Sequence, residues 1–127
     1  MVDDSPTDIF IAQRCFMKTG YENPFISYPG GEEFLDYMRK VQDGTEAVPA
    51  LVLLDINMPK MSGFEVLEVV RREKEFSNIP VIMIFTNSSS AGDKKKSEDL
   101  GANGFQTKPH EMCHYLEFFN KVFGARV

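Results

Sequence analysis

No stretch of this 127-residue chain comes near the roughly 20 consecutive apolar residues a membrane-spanning helix needs. Nor does the opening Met-Val-Asp-Asp resemble a secretory leader, which carries a basic region and then an apolar one. Cysteine is scarce: Cys15 and Cys113 are alone and lack metal-ligand spacing, so the expectation is two free, buried thiols in a reducing cytoplasm. Positive charge is also short, with 14 Lys and Arg against 19 Asp and Glu and a net charge of −5, which argues against a general nucleic-acid surface. The single basic run, Lys94-Lys95-Lys96, is followed by Glu98 and Asp99 and reads as a solvated helix face. Repeats, low-complexity tracts and linkers are missing, so residues 1–127 are expected to form one domain.

What is present is alternation of strand and helix signals, the pattern of an α/β parallel sheet covered on both faces. Leu51-Val-Leu-Leu and Pro80-Val-Ile-Met-Ile-Phe85 are unbroken apolar runs of buried-strand length. Residues 25–28 and 104–107 are shorter strand candidates. Ser5-Pro6 and Ser62-Gly-Phe-Glu65 are helix starts, each with an acid three residues after the serine. Further helices are expected from about Glu32 to Gly44, from Ser90 to Leu100 and from His110 to Phe123, giving five in all.

The strand ends carry the chemistry. Asp55 closes the Leu51 run, Thr86 closes the Pro80 run, Lys108 follows the residue 104–107 strand, and Asp3-Asp4 precede the first helix. Open α/β sheets bind ligands at the carboxyl ends of their strands. Three carboxylates gathered there repel one another unless neutralised. Lys108 supplies one positive charge, and a hard divalent ion such as Mg²⁺ (or Mn²⁺) supplies more. An Asp beside such an ion is a competent nucleophile toward a phosphoryl group. Each group alone has a plainer reading: the acid pair could serve a helix N-terminus, Thr86 could reflect strand propensity, and Lys-Pro is common in loops. Their order, always at a strand-to-loop junction, favours the joint reading.

At these residues, in the Leu-Leu-Asp55-Ile-Asn-Met-Pro motif above all, the chain resembles the receiver domains of two-component response regulators. The likeness extends from Val2 to about Phe123. It implies a doubly wound, flavodoxin-like sheet of order 2-1-3-4-5 with five helices. It also implies a phosphoryl group received on Asp55 from a sensor histidine kinase or a phosphotransfer protein. Asp4 is then the direct metal ligand, Asp3 its partner through water, and the Asn57 backbone carbonyl a third ligand. Thr86 matches the switch hydroxyl, Lys108 the phosphate-pairing lysine, Pro109 the cis-proline after it, and Phe105 the aromatic that turns inward on activation. Asn57, Asn87 and Ser88 are placed to set phosphoryl lifetime. The resemblance implies a stand-alone signalling phosphoacceptor rather than an enzyme, with an unnamed protein target. It also admits a homodimer. The loop around residues 42–49 is similar to that of regulators paired with phytochrome-type kinases.

Two departures bear on this. Receivers carry about five apolar residues of first strand before the acid pair, whereas here Met1 and Val2 alone precede it. A first strand truncated in this way is expected to leave core backbone groups unpaired, so either the start has been trimmed or miscalled or a second copy fills the gap by strand exchange. Asn87 is also bulkier than the residue usual after the switch threonine. Two other readings stay open: a pseudo-receiver that binds partners without phosphorylation, and a haloacid-dehalogenase-type phosphatase. The second wants an acid where Asn57 stands. His110 and His114 have metal-binding spacing, but the sequence shows no third ligand for them.

Overall fold

The apolar runs build the sheet in the computed structural model, whose described residues are 1–124. Strands β1 (Leu51–Leu54), β2 (Val81–Thr86) and β3 (Gly104–Thr107) lie in the order β1-β2-β3, all parallel, with Leu51 opposite Val81 and Met83 opposite Gly104. Helices α1 (Pro6–Lys18), α2 (Gly31–Gln42), α3 (Gly63–Arg72), α4 (Ala91–Asp99) and α5 (Met112–Gly124) surround it, with a short 3₁₀ turn at Lys74–Phe76. The serine starts hold: Ser5 Oγ accepts from the Asp8 amide at 3.2 Å, and Ser62 Oγ from the Glu65 amide at 3.3 Å. Ser90 caps the polar α4 in the same way, accepting from the Asp93 amide at 3.3 Å.

Period-two alternation divides the sheet between two cores. Val52, Leu54, Ile82 and Ile84 face Phe34, Met38, Val66 and Leu67 of α2 and α3. Leu53 and Phe85 face Ala12, Phe16, Phe118 and Phe119 of α1 and α5. Leu54, Ile82 and Ile84 are wholly buried, each contributing roughly 1.5–3 kcal/mol of transfer free energy. With both faces covered, the strands need no polar side, which is why they read as continuous apolar runs.

Residues 25–28 depart from expectation: Tyr28 makes one parallel bridge to Val2 but no extended strand forms. The reason is the length of its neighbour. Residues 1–3 do pair on both sides: the Met1 nitrogen donates to Ile26 O (2.8 Å) and Met1 O accepts from the Tyr28 amide (2.9 Å). Val2 turns the other way, its amide donating to Leu53 O (2.8 Å) and its carbonyl accepting from Asp55 N (3.0 Å). The backbone groups of Met1 and Val2 are therefore paired, as is the Asp3 amide, and the 2-1-3-4-5 order survives on this side as bridges. Residues 25–28 simply have three residues to pair with.

Two further expectations are corrected. The cis peptide among the described residues is Ile79–Pro80, and Lys108–Pro109 is not cis. Cys15 is buried but Cys113 is exposed at the start of α5, where a helix end leaves it in solvent. Arg71, near the end of α3, fastens the loops below the sheet. Its guanidinium donates to the carbonyls of Phe76 (3.1 Å), Pro80 (2.9 Å) and Gly101 (3.0 Å) and to Asn103 Oδ1 (2.9 Å).

Candidate functional site

Each strand hands one chemical group to the carboxyl edge of the sheet. Asp55 follows β1, Thr86 ends β2, Lys108 follows β3, and Asp3 ends the short central ladder. All four are buried in a fold whose polar side chains mostly face water, while Asp4 is exposed. Carboxylate oxygens of Asp3, Asp4 and Asp55 lie within 4.8 Å of one another. Lys108 Nζ stands 2.6 Å from Asp3 Oδ2, 2.7 Å from Asp8 Oδ2 and 3.5 Å from Asp55 Oδ2. The other Asp55 oxygen accepts from the Ile56 amide at 2.8 Å, which fixes the carboxylate's orientation.

Burial is the largest influence on both ends of the Asp3–Lys108 contact, and it acts oppositely on them. Desolvation raises the Asp3 carboxyl above its ordinary value; the close approach of Lys108 and the bond from the Ser5 amide pull it down without overcoming burial. For Lys108 desolvation works to lower the ammonium, but Asp3, Asp8 and Asp55 together outweigh it and hold the lysine above its ordinary value. Lys108 is thus firmly a cation, and Asp3 is the carboxyl on which burial weighs most. Asp3 Oδ2 is buried and meets the ammonium as an ion pair at 2.6 Å, with no further hydrogen-bond partner among the described residues.

That oxygen tests the fit for a metal. Three carboxylates offer oxygen donors alone, and one of those oxygens is buried with the Lys108 ammonium as its single polar contact among the described residues. Such a set suits a hard divalent cation of the Mg²⁺ or Mn²⁺ kind and offers nothing to a thiophilic one.

Among the other expected residues, Thr86 is fully buried, and its hydroxyl accepts from the Ser88 amide at 3.4 Å. Its carbonyl accepts from the Lys108 amide at 2.7 Å, tying the ends of β2 and β3 together. Ser88 Oγ donates to Asp93 Oδ2 at 2.7 Å, while Asn57 and Asn87 are exposed. Phe105 is half-buried against the α2–α3 core. Asp8 stands at the capping-box position, yet the Ser5 amide donates to Asp3 Oδ1 (2.8 Å) and the Asp8 carboxylate reaches Lys108 instead; the capping pattern masked that contact, since both uses want an acid in the first turn. His110 and His114 are not brought together with a third ligand among the described residues; His114 instead lies near Glu111 and Cys113. Glu111, Cys113 and His114 bring ligand atoms within 4.8 Å, all on exposed side chains.

The raised Asp3 pKa has a consequence for stability. Between the ordinary carboxyl value of 3.8 and the raised one, the folded protein holds a proton that the unfolded chain releases. Unfolding free energy therefore rises as pH falls through the raised pKa and levels off near the ordinary one. The Met1 amino group, held down to about 5 by burial, works the opposite way over the same range, so the expected result is a difference: urea midpoints in EDTA, taken from pH 8 down to pH 4.5, should show the native protein gaining stability relative to Asp3→Asn. Parallel profiles would remove Asp3 as its source.

The family described as "response regulator receiver domain" matches residues 1–118. A probable methanogenesis regulatory protein, FilR2, of Methanothrix harundinacea is 30% identical over 109 residues, covering 86% of this chain and 70% of that protein. The chain spans smaller shares, 29% and 13%, of two longer relatives. The phosphorylated cyanobacterial phytochrome response regulator RcpA superposes with a TM-score of 0.81 at 26% identity, covering 95% of this chain and 86% of that one. The Mn²⁺-bound form of response regulator Rcp1 has a TM-score of 0.80, 24% identity and coverages of 95% and 87%, a likeness of fold. Among the described residues no helix is long and apolar enough to cross a membrane.

Proposed function

Because this chain belongs to the response regulator receiver domain family, we propose that Asp55 is the phosphoacceptor of a signalling receiver domain formed by residues 1–127. The donor in this reading is a phosphohistidine of a sensor histidine kinase or a phosphotransfer protein. An Asp55 carboxylate oxygen attacks phosphorus, the P–N bond breaks, and the imidazole leaves. The observation that carries the reading is Lys108, whose ammonium bridges Asp3 (2.6 Å) and Asp55 (3.5 Å) at the carboxyl edge of the sheet.

Asp3, Asp4, Asp55 and the Asn57 carbonyl would hold a divalent ion, which when bound offsets the negative charge of the incoming phosphoryl oxygens. The chain's own residues do the rest. Lys108 is placed to pair with a phosphoryl oxygen on Asp55 and to give up part of its contact with Asp3 in doing so. Thr86 offers a hydroxyl from a wholly buried position. Its movement toward the phosphoryl group would leave space for Phe105, which is already half-buried beside the same core. The surface formed by α4, β3 and α5 then changes for a protein target. Asn57, Asn87 and Ser88 border the path of water and so set how long the phosphoryl group lasts. The phytochrome connection in the name of RcpA fits the loop at residues 42–49 and makes a light-sensing kinase a candidate donor.

The test is intact mass after incubation with acetyl phosphate and Mg²⁺. The native chain should gain one phosphoryl group, about 80 Da, and Asp55→Asn none. No gain in either protein would favour the pseudo-receiver reading. Sustained hydrolysis of a small phosphomonoester would revive the phosphatase reading, which the amide of Asn57 in place of an acid disfavours.

A further inference from the structure

The start of α5 gathers a second set of ligand atoms, chemically unlike the acidic pocket. Glu111 offers a carboxylate oxygen, Cys113 a sulfur and His114 a ring nitrogen, all within 4.8 Å of one another. The three side chains are exposed, so none is engaged in core packing. In sequence they fall within His110-Glu-Met-Cys-His114, which has the H-E-x-x-H spacing of zinc-binding helices. That motif needs both histidines on one helical face, with the glutamate held back as a base. Here α5 begins at Met112, so His110 and Glu111 lie ahead of the helix. The gathered set instead joins Glu111 and Cys113 to His114.

Backbone contacts hold the trio in register. The Glu111 carbonyl accepts from the His114 amide at 3.1 Å and from the Tyr115 amide at 3.3 Å. All three ligands thus sit on one turn whose backbone is already fixed, and binding has only side-chain torsions left to order. Glu111 Oε2 and Cys113 Sγ are 3.6 Å apart. A tetrahedral zinc-class ion, with sulfur at about 2.3 Å and oxygen at about 2.1 Å, sets that separation at about 3.6 Å. A thiol-to-carboxylate hydrogen bond alone would account for two of the three groups and leaves His114 out.

We propose that Glu111, Cys113 and His114 form a site for a zinc-class divalent ion, with water in the fourth position. One sulfur, one imidazole nitrogen and one oxygen suit a borderline ion such as Zn²⁺ or Co²⁺ rather than Mg²⁺. The chain would thereby sort two metals by ligand type, hard ions at Asp3, Asp4 and Asp55 and borderline ones at α5. On binding, the Cys113 thiol releases its proton to solvent and the sulfur binds as thiolate. The positive end of α5 opposes a cation, and the thiolate and the carboxylate offset it with two negative charges. Glu111 and His114 also line a cavity of about 560 Å³ with Lys108, Glu117 and Lys121, so water reaches the fourth position.

The test is titration of the full chain with Co²⁺, in a phosphine reductant and with millimolar Mg²⁺ competing at the acidic pocket. One equivalent should produce a sulfur-to-cobalt charge-transfer band in the near ultraviolet, and Zn²⁺ should abolish it. Cys113→Ser should lose the band, whereas Cys15→Ser, at the buried free cysteine, should keep it. Glu111→Gln and His114→Gln should each weaken Co²⁺ binding roughly tenfold or more. All three ligand positions are exposed, so these variants keep the native fold, which circular dichroism verifies. No band in the native chain overturns the proposal, as does a band that survives Cys113→Ser. Unchanged affinity in both Glu111→Gln and His114→Gln overturns it too, leaving a single thiolate that captures metal unaided. So does a stoichiometry of one ion to two chains, which would mean ligands drawn from separate molecules.

Discussion

A Lys108→Met variant is expected to lose about 3 kcal/mol of unfolding free energy at neutral pH in EDTA. The lysine is buried, 4% exposed, and neutralises Asp3 and Asp55, which are buried with it. Replacing it with an apolar chain of similar length keeps the volume and removes the charge, so the carboxylates are left to repel one another in a poorly solvated site. Breaking one partner of a buried ion pair costs more than the pair itself contributes. Adding Asp3→Asn to Lys108→Met should therefore return about 1–2 kcal/mol, because it withdraws one of the stranded charges. Millimolar Mn²⁺ should recover part of the single variant's loss by supplying positive charge to the same oxygens. Urea unfolding of the two single variants, the double variant and the native chain completes the cycle. Additive effects would mean that Lys108 and Asp3 do not stabilise each other despite the 2.6 Å contact.

Gly63→Ala is expected to destabilise the fold by about 3 kcal/mol, lowering the thermal midpoint by roughly 10 °C in a domain of this size. A Cβ on Gly63 would lie 2.2 Å from the Asp55 carbonyl oxygen and 3.0 Å from Ile56 Cα. Both obstacles are backbone, so no side-chain rotation relieves them. The chain folds back here to bring the start of α3 onto the end of β1, and the Gly63 amide donates to Ile56 O at 2.9 Å. Pushing the two apart moves Asp55 itself. On the proposed function, phosphoryl uptake from acetyl phosphate should slow on the order of 10²-fold, the usual consequence of an ångström of misplacement. Gly92→Ala is the contrast: it lies in α4 with Ser90 Oγ at 3.5 Å as the nearest atom, and should be neutral or stabilising by up to about 1 kcal/mol. Thermal midpoints and initial rates for both variants decide the matter. A Gly63→Ala protein as stable and as fast as the native one would show that the loop yields freely.

How much of this was legible in the sequence follows from what each residue depends on. Leu51–Leu54 and Val81–Thr86 could be read because burial on both faces makes a strand apolar throughout, whatever its neighbours are. Asp55 stood out for the same reason, as a charge closing such a run. The helix starts at Ser5, Ser62 and Ser90 depend on contacts within one turn and were equally plain. Residues 25–28 failed because their state rests on how many residues the adjacent strand brings to pair with them. Asp8 was overlooked as a member of the charged site because one helix-capping explanation already accounted for it. The cluster of Glu111 and Cys113 with His114 escaped a search for ligands at i and i+4, since it uses the irregular first turn of α5 instead. The pairing of residues 1–3 on both sides is a property of three dimensions that Met1 and Val2 alone do not reveal.

Arg71 was described as a fastening of loops, and its bonds span separations of 5, 9, 30 and 32 residues. In kinetic terms, such a side chain finds its acceptors only after α3, the 3₁₀ turn and the approaches to β2 and β3 have all arrived. Bonds formed that late are absent from the folding barrier and present in the unfolding one, so they govern the lifetime of the native state more than the speed of reaching it. Loss of these bonds in Arg71→Ala is therefore expected to speed unfolding more than it slows folding, an effect exerted from the end of the sheet opposite its charged site.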